Sequence, residues 1–90
     1  MYYLTLTPEE RHEIDWISYH EGQYDDLFLA LMGALTSPDV DWGFGGNITF
    51  ICSESIAWAI KKIGKACNYL WDCFSSELAA KLTNFCKKVV

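Results

Sequence analysis

The stretch that decides the fold class is residues 47–60, which read Asn-Ile-Thr-Phe-Ile-Cys-Ser-Glu-Ser-Ile-Ala-Trp-Ala-Ile. In its first part, Asn47–Cys52, the side chains of Ile48, Phe50 and Cys52 alternate with those of Thr49 and Ile51. This period of two is typical of a β-strand. Either Ser53 or Ser55 can cap the helix that follows, and its isoleucines recur at helical spacing to about Ile63. We expect Gly64 to end that helix. A strand that leads directly into a helix predicts mixed α and β structure.

A second short strand is predicted near the N-terminus. Tyr2–Leu6 is rich in residues that favour strands and is partly alternating. An isolated strand would leave its backbone N–H and C=O groups unpaired. We therefore expect Tyr2–Leu6 to pair with Asn47–Cys52 in a small two-stranded antiparallel sheet.

The first helix is predicted to run from Pro8 to about His20. Its start is marked by Thr7-Pro8-Glu9-Glu10, in which Thr7 and Glu10 have the spacing of a capping box. Proline is also well suited to the first helical position. Ile14 and Ile17 then fall on one face of the helix, which we expect to face the core.

Two more helices are predicted from the same kinds of signal. One begins near Tyr24, with Asp25-Asp26 in its first turn, and ends at Thr36 before a loop that contains proline and three glycines. The other is capped by Ser75 or Ser76 and carries an apolar stripe to the end of the sequence. Residues 65–74 are ambiguous, and a short helix is one interpretation of them.

These elements predict an α+β fold that is predominantly helical, with about four helices and the two-stranded antiparallel sheet. At 90 residues the chain has the length of a single domain, which we assign to residues 1–90. The predicted core consists of the apolar residues on the inward faces of these elements: Leu4, Ile14, Ile17, Leu27, Leu31, Ile48, Phe50, Ile56, Ile60, Leu78, Leu82 and Phe85.

The chain is unusually apolar for its size. Hydrophobic residues make up 51% of it and aromatic residues 16%, and a small domain cannot bury all of them. The surplus indicates a protein interface or a homodimer, although ordinary protein surfaces are also more than half apolar. There is no run of about 18 apolar residues that would predict a membrane span, and no signal sequence is recognisable at Met1. We therefore expect a cytoplasmic protein that does not bind membranes.

The four cysteines have the spacing C-x14-C-x5-C-x12-C. A zinc site usually contains a tight C-x2–4-C pair, which this spacing lacks. Disulfides are expected mainly in secreted proteins. We therefore expect free, mostly buried thiols, with disulfides or a metal site as the alternatives.

Charge is distributed very unevenly along the sequence. Residues 1–42 contain nine carboxylates and one cation, Arg11, which gives a formal charge of −8. Residues 43–90 contain six lysines and three carboxylates, which gives +3. An acidic surface repels nucleic acid and attracts basic surfaces of other proteins. We therefore expect no direct binding of nucleic acid.

The sequence contains no recognisable catalytic motif. His12 and His20 are eight residues apart and do not have the spacing of a histidine–glutamate zinc motif. The segment from Trp42 to Asn47 is rich in glycine but lacks the Gly-Lys-Ser/Thr ending of a phosphate-binding loop. We therefore predict that the protein is not an enzyme and uses no metal or cofactor.

The predicted partner-binding residues are acidic side chains of the first half and two aromatic residues of the glycine-rich loop. They are Glu9, Glu13, Asp25, Asp26, Asp39, Asp41, Trp42 and Phe44. The carboxylates would face a basic surface of a protein or ribonucleoprotein complex, and the aromatic rings would anchor the contact. The alternative is that the carboxylates are simply hydrated and that the two rings pack onto the core.

In general character the chain resembles the small acidic proteins that phages use against bacterial defence, of which anti-CRISPR proteins are the best-known class. The resemblance rests on small size, an α+β composition, the lack of a catalytic motif and the acidic stretch from Glu9 to Asp41. It extends over the whole chain without matching a motif, so it implies a class of function and no individual site. The implied function is to inhibit a CRISPR-type or other nucleic-acid-handling defence complex by acting as a mimic of DNA. The alternative is a host regulatory, adaptor or antitoxin-like module that binds through exposed aromatic residues.

Overall fold

A computed structural model of the chain describes residues 1–20, 25–36, 41–42 and 48–90, with residues 41–42 described by their backbone. It confirms the predicted α+β fold class. In chain order the described elements are β1 (Tyr2–Leu6), α1 (Pro8–Tyr19), α2 (Asp26–Leu35), β2 (Asp41–Trp42), β3 (Ile48–Cys52), α3 (Glu54–Ala66), a 3₁₀ helix (Asn68–Cys73) and α4 (Ser76–Lys88).

The sheet has the strand order β1-β3-β2, and both pairs of neighbours are antiparallel. The predicted pairing is confirmed, with Leu4 opposite Phe50. The structure adds the two-residue strand β2 to this pair, along the other edge of β3, where Trp42 lies opposite Phe50. A strand of two residues is too short to show an alternating pattern. Its backbone N–H and C=O groups can pair because β3 has a free edge on that side.

Helix starts follow the predicted caps closely. The capping box at α1 is formed, with the Thr7 N–H donating to Glu10 Oε1 over 2.9 Å and the Glu10 N–H donating to Thr7 Oγ1 over 3.2 Å. Of the serine alternatives, Ser53 caps α3 and Ser75 caps α4. Asp25 is the N-cap of α2 and not part of its first turn, so this helix begins later than predicted. The 3₁₀ helix at residues 68–73 resolves the ambiguous segment.

The prediction that Gly64 ends α3 was wrong. The helix continues to Ala66, and Gly64 is a buried position inside it. The indole ring of Trp71, in the 3₁₀ helix, lies directly against the glycine, so that a Cβ atom added there would be 2.2 Å from Trp71 Cζ2. Close packing of helix and ring, which the sequence pattern could not reveal, explains why glycine occupies this position.

Replacing Gly64 with alanine is therefore expected to destabilise the protein. Alanine should gain up to about 1 kcal/mol from helix propensity, but the added methyl group must displace the Trp71 ring, which typically costs about 1–3 kcal/mol. We expect a net loss of about 1–2 kcal/mol in the free energy of unfolding, measured by urea denaturation. Gly33 offers a matched control, because no atom lies within 4 Å of its added Cβ. If Gly64→Ala were as stabilising as Gly33→Ala, the packing described here would be incorrect.

The core combines the inner faces of the four α-helices with one face of the sheet. Of the predicted core residues, Leu27 is exposed and Ile48 is only half-buried, while Ile56 is half-buried and packs against the core. Leu27 is exposed because Phe28, the next residue along α2, takes the inward position and stacks on Phe74 with ring centroids 6.0 Å apart. The other predicted core residues are buried: Leu4, Ile14, Ile17, Leu31, Phe50, Ile60, Leu78, Leu82 and Phe85.

One charged side chain is buried with this core. Glu10 of α1 is only 5% exposed. Its Oε1 accepts a hydrogen bond from Lys81 Nζ of α4 over 2.5 Å, in addition to the bond from the Thr7 N–H. Burial acts to raise the pKa of Glu10, but the bonds from Lys81 and Thr7 outweigh it, and the pKa is lowered. The pair therefore joins the two helices in the charged form.

Candidate functional site

The exposed side of α1 carries acidic and aromatic side chains together. Four exposed residues, at spacings of three and four along the helix, form what we call the α1 outer face: Glu9, His12, Trp16 and Tyr19. Ile14 and Ile17 lie on the opposite, buried side. The outer face is therefore the surface that this helix leaves for a partner, and it combines a carboxylate with two large rings.

Trp16 is held in place although it is exposed. Its ring stacks on His20, with centroids 4.0 Å apart and planes inclined by 24°. The His20 Nδ1–H donates to the Trp16 carbonyl oxygen over 2.8 Å, which fixes the imidazole beneath the indole. A ring that is already ordered loses little conformational entropy on binding, so Trp16 is suited to anchor a contact.

Two of the predicted partner-binding carboxylates have structural roles. Glu13 is half-buried, and its Oε2 accepts a hydrogen bond of 2.8 Å from the backbone N–H of Ser75, which ties α1 to the start of α4. Asp25 caps α2 by accepting from the Phe28 N–H over 2.9 Å, and its other oxygen accepts from the Tyr69 hydroxyl over 3.0 Å. The bond to Asp25, followed by one with Cys67, raises the pKa of Tyr69 to about 12.

Two other predicted carboxylates are exposed to solvent. Glu9 lies in the first turn of α1 and Asp26 in the first turn of α2. Neither makes a hydrogen bond or ion pair with the described residues. Asp15 of α1 is also exposed but pairs with Arg11. Among the predicted carboxylates whose side chains the structure describes, Glu9 and Asp26 are thus the two that can meet a partner without loss of an internal contact.

The remaining predicted site residues belong to the glycine-rich segment. Asp39 and Phe44 lie outside the described residues. Asp41 and Trp42 form β2, whose backbone alone is described. The role predicted for this segment in partner binding therefore stays a prediction.

Sequence reasoning missed Trp16 and Tyr19, the aromatic residues of the α1 outer face. They are 55% and 91% exposed. The signal was present, because a helix that buries Ile14 and Ile17 must direct positions 16 and 19 away from the core.

The cysteines are free thiols, as predicted, but the expectation that most of them are buried was wrong: Cys52 is buried, Cys67 and Cys86 are half-buried, and Cys73 is exposed. Burial raises the pKa of Cys52 and Cys86, and burial followed by the charges of Asp72 and Asp25 raises that of Cys73. A raised pKa keeps these three thiols protonated near neutral pH and hence poor nucleophiles. Within the described ranges, no group of three or more His, Cys, Asp or Glu side chains is arranged to hold a metal ion.

Comparisons with protein-family models, with curated proteins and with solved structures gave no match. Among the described helices, none has the length and apolar character needed to cross a membrane.

Proposed function

We propose that this chain is a non-enzymatic inhibitor that binds a basic surface of a bacterial CRISPR-type or other nucleic-acid-handling defence complex and blocks the access of nucleic acid. The observation that supports the proposal is the α1 outer face, on which Glu9 lies along the same side of the helix as the ordered ring of Trp16. The formal charge of −8 in residues 1–42 extends the acidic character beyond this helix.

The two kinds of side chain would contribute differently to binding. On the partner, lysine and arginine side chains that normally bind phosphates would meet carboxylates of this chain such as Glu9 and Asp26. Each such pair at the rim of an interface contributes only about 0–1 kcal/mol, but together the pairs accelerate encounter and fix orientation. The rings of Trp16 and Tyr19 would supply most of the affinity, since buried aromatic side chains dominate binding energies.

The test is a competition experiment with designed charge reversals. A partner captured from bacterial lysate is offered the protein and single-stranded nucleic acid together. We expect the wild-type chain to displace the nucleic acid, with an affinity that falls steeply between 0.1 M and 1 M salt, as the Debye length shortens from about 10 Å to about 3 Å. The double variant Glu9→Lys/Asp26→Lys should compete at least about tenfold less well.

A matched control uses Glu54→Lys/Glu77→Lys. These two carboxylates are exposed and lie in the first turns of α3 and α4, so they have the same relation to the helix dipole and the same change of charge. Glu13 and Asp25 are left intact because their replacement would disturb the fold. If both double variants competed as well as the wild-type chain, the proposal would be rejected.

The second candidate is a regulatory, adaptor or antitoxin-like module that binds its partner, or a second copy of itself, through aromatic residues. The exposure of Trp16 and Tyr19 favours it. In that case Trp16→Ala should weaken binding by about 2 kcal/mol or more, while salt and the Glu9→Lys/Asp26→Lys change should have little effect. The two candidates are therefore distinguished by comparing the loss of affinity caused by Trp16→Ala with the loss caused by salt and by Glu9→Lys/Asp26→Lys.

A further inference from the structure

A second surface, on other elements of the fold, has the opposite charge. Between α3, the 3₁₀ helix and α4 lies a groove of about 340 Å³, within the range of small-molecule sites. We call it the α3–α4 groove, and the residues that matter most in it are Lys61, Gly64, Lys65, Trp71, Cys86 and Lys87.

The surface that lines the α3–α4 groove is mainly apolar. The indole of Trp71 is half-buried there and rests on Gly64, where a Cβ atom would come within 2.2 Å of it. The indole also contacts Phe74, with ring centroids 6.3 Å apart. The half-buried Cys86, whose pKa is raised by burial, extends this apolar surface from α4. Because these contacts hold the Trp71 ring in place, an aromatic ligand can bind against it with little further ordering.

The rim of the groove is cationic. Three lysines line it, and no carboxylate among the described residues does. Lys61 is held in place, since its Nζ donates to the Val89 carbonyl oxygen over 2.5 Å and lies 5.0 Å from the centre of the Trp58 ring. Lys65 and Lys87 are exposed and form no ion pair within the described residues. In a chain with a net charge of −5, such a concentration of unpaired lysines marks a place where a negative group is favoured.

We propose that the α3–α4 groove binds a small molecule that combines a flat aromatic body with one anionic group. The aromatic body lies on the Trp71 ring and covers Cys86. The anion is held at the rim by Lys65 and Lys87, and the side-chain amide of Asn68, which also lines the groove, can donate a hydrogen bond to it. This site is independent of the function proposed for the α1 outer face.

A pair of fluorescent probes tests the proposal on the intact chain. An anilinonaphthalene sulfonate has the required ring system and anion, and phenylnaphthylamine is the same molecule without the anion. We expect the sulfonate to bind saturably at one site per chain and the uncharged probe to bind at least about tenfold more weakly. Equal affinity for the two probes, or no saturable binding, would overturn the proposal.

Charge-reversed variants distinguish binding of the anion in the groove from attraction by the overall electrostatic field of the protein. Lys65→Glu/Lys87→Glu should weaken binding of the sulfonate at least about tenfold, whereas Lys62→Glu/Lys88→Glu, on the same two helices but outside the groove, should change it less than about twofold. Amide NMR shifts caused by the sulfonate should concentrate at Gly64, Asn68 and the Trp71 indole. Equal weakening in both variants, or shifts centred on another aromatic residue such as Trp16, would show that the groove is not the site.

Discussion

Replacing Phe85 with alanine is expected to lower the free energy of unfolding by about 3–5 kcal/mol, the usual cost of removing a fully buried aromatic ring. Phe85 of α4 is 2% exposed. Its ring meets Tyr2 of β1 and Phe50 of β3 edge to face, with centroids 6.3 and 6.0 Å apart. The variant therefore loses the apolar area of one ring and two aromatic contacts that join α4 to both long strands.

The measurement is urea or thermal unfolding, in which each kcal/mol lowers the Tm of a domain of this size by about 4–8 °C. Phe85→Leu keeps most of the volume and should cost clearly less, so it remains measurable if the alanine variant does not fold. Tyr19→Ala removes an aromatic ring that is 91% exposed and should change stability by no more than about 0.5 kcal/mol. A loss below about 1 kcal/mol for Phe85→Ala would show that α4 does not pack on the sheet as described.

Replacing Lys81 with methionine is expected to cost about 2–3 kcal/mol at neutral pH. Removing one partner of a buried ion pair leaves an unpaired charge and typically costs about 3–5 kcal/mol. The lower value is expected here because the Lys81 side chain is 38% exposed and water screens the pair in part. Adding Glu10→Gln to this variant should restore much of the stability. Glutamine keeps the bond to the Thr7 N–H and removes the buried charge.

The pair of Glu10 and Lys81 should also make the stability of the protein depend on pH. Because the pKa of Glu10 is lowered in the folded protein, the unfolded chain takes up the proton first as the pH falls. The stabilisation is thus complete above the usual glutamate pKa of about 4.3 and is lost as the pH falls through the lower pKa of the folded state. Without Lys81, burial should raise the pKa of Glu10, so that the carboxylate takes up a proton more readily and loses its unpaired charge. The difference in the free energy of unfolding between wild type and Lys81→Met should therefore shrink below about pH 4. A difference that is constant from neutral to acidic pH would contradict the assignment of the pair.

The candidate site was only partly predictable. The sequence identified Glu9 and Asp26 as surface carboxylates, and both are exposed. It could not distinguish them from Glu13 and Asp25, because the partners of those two, the Ser75 N–H and the Tyr69 hydroxyl, are 62 and 44 residues away. Whether a carboxylate is available to a partner depends on such distant donors, which leave no local pattern in the sequence.

The sequence by itself determined the α+β class, the pairing of β1 with β3 and the starts of α1, α3 and α4. The class and the helix starts depend on caps and periodicities within a few residues, which act whatever surrounds them. The pairing of β1 with β3 was predictable because an isolated strand would leave its backbone groups unpaired. Only the tertiary structure decided that β2 joins the sheet, that Gly64 continues α3 beneath Trp71, and that Glu10 is buried with Lys81. Each of these requires a strand edge, a ring or a charge that the fold brings from a distant part of the chain, and packing between distant segments overrides local preference.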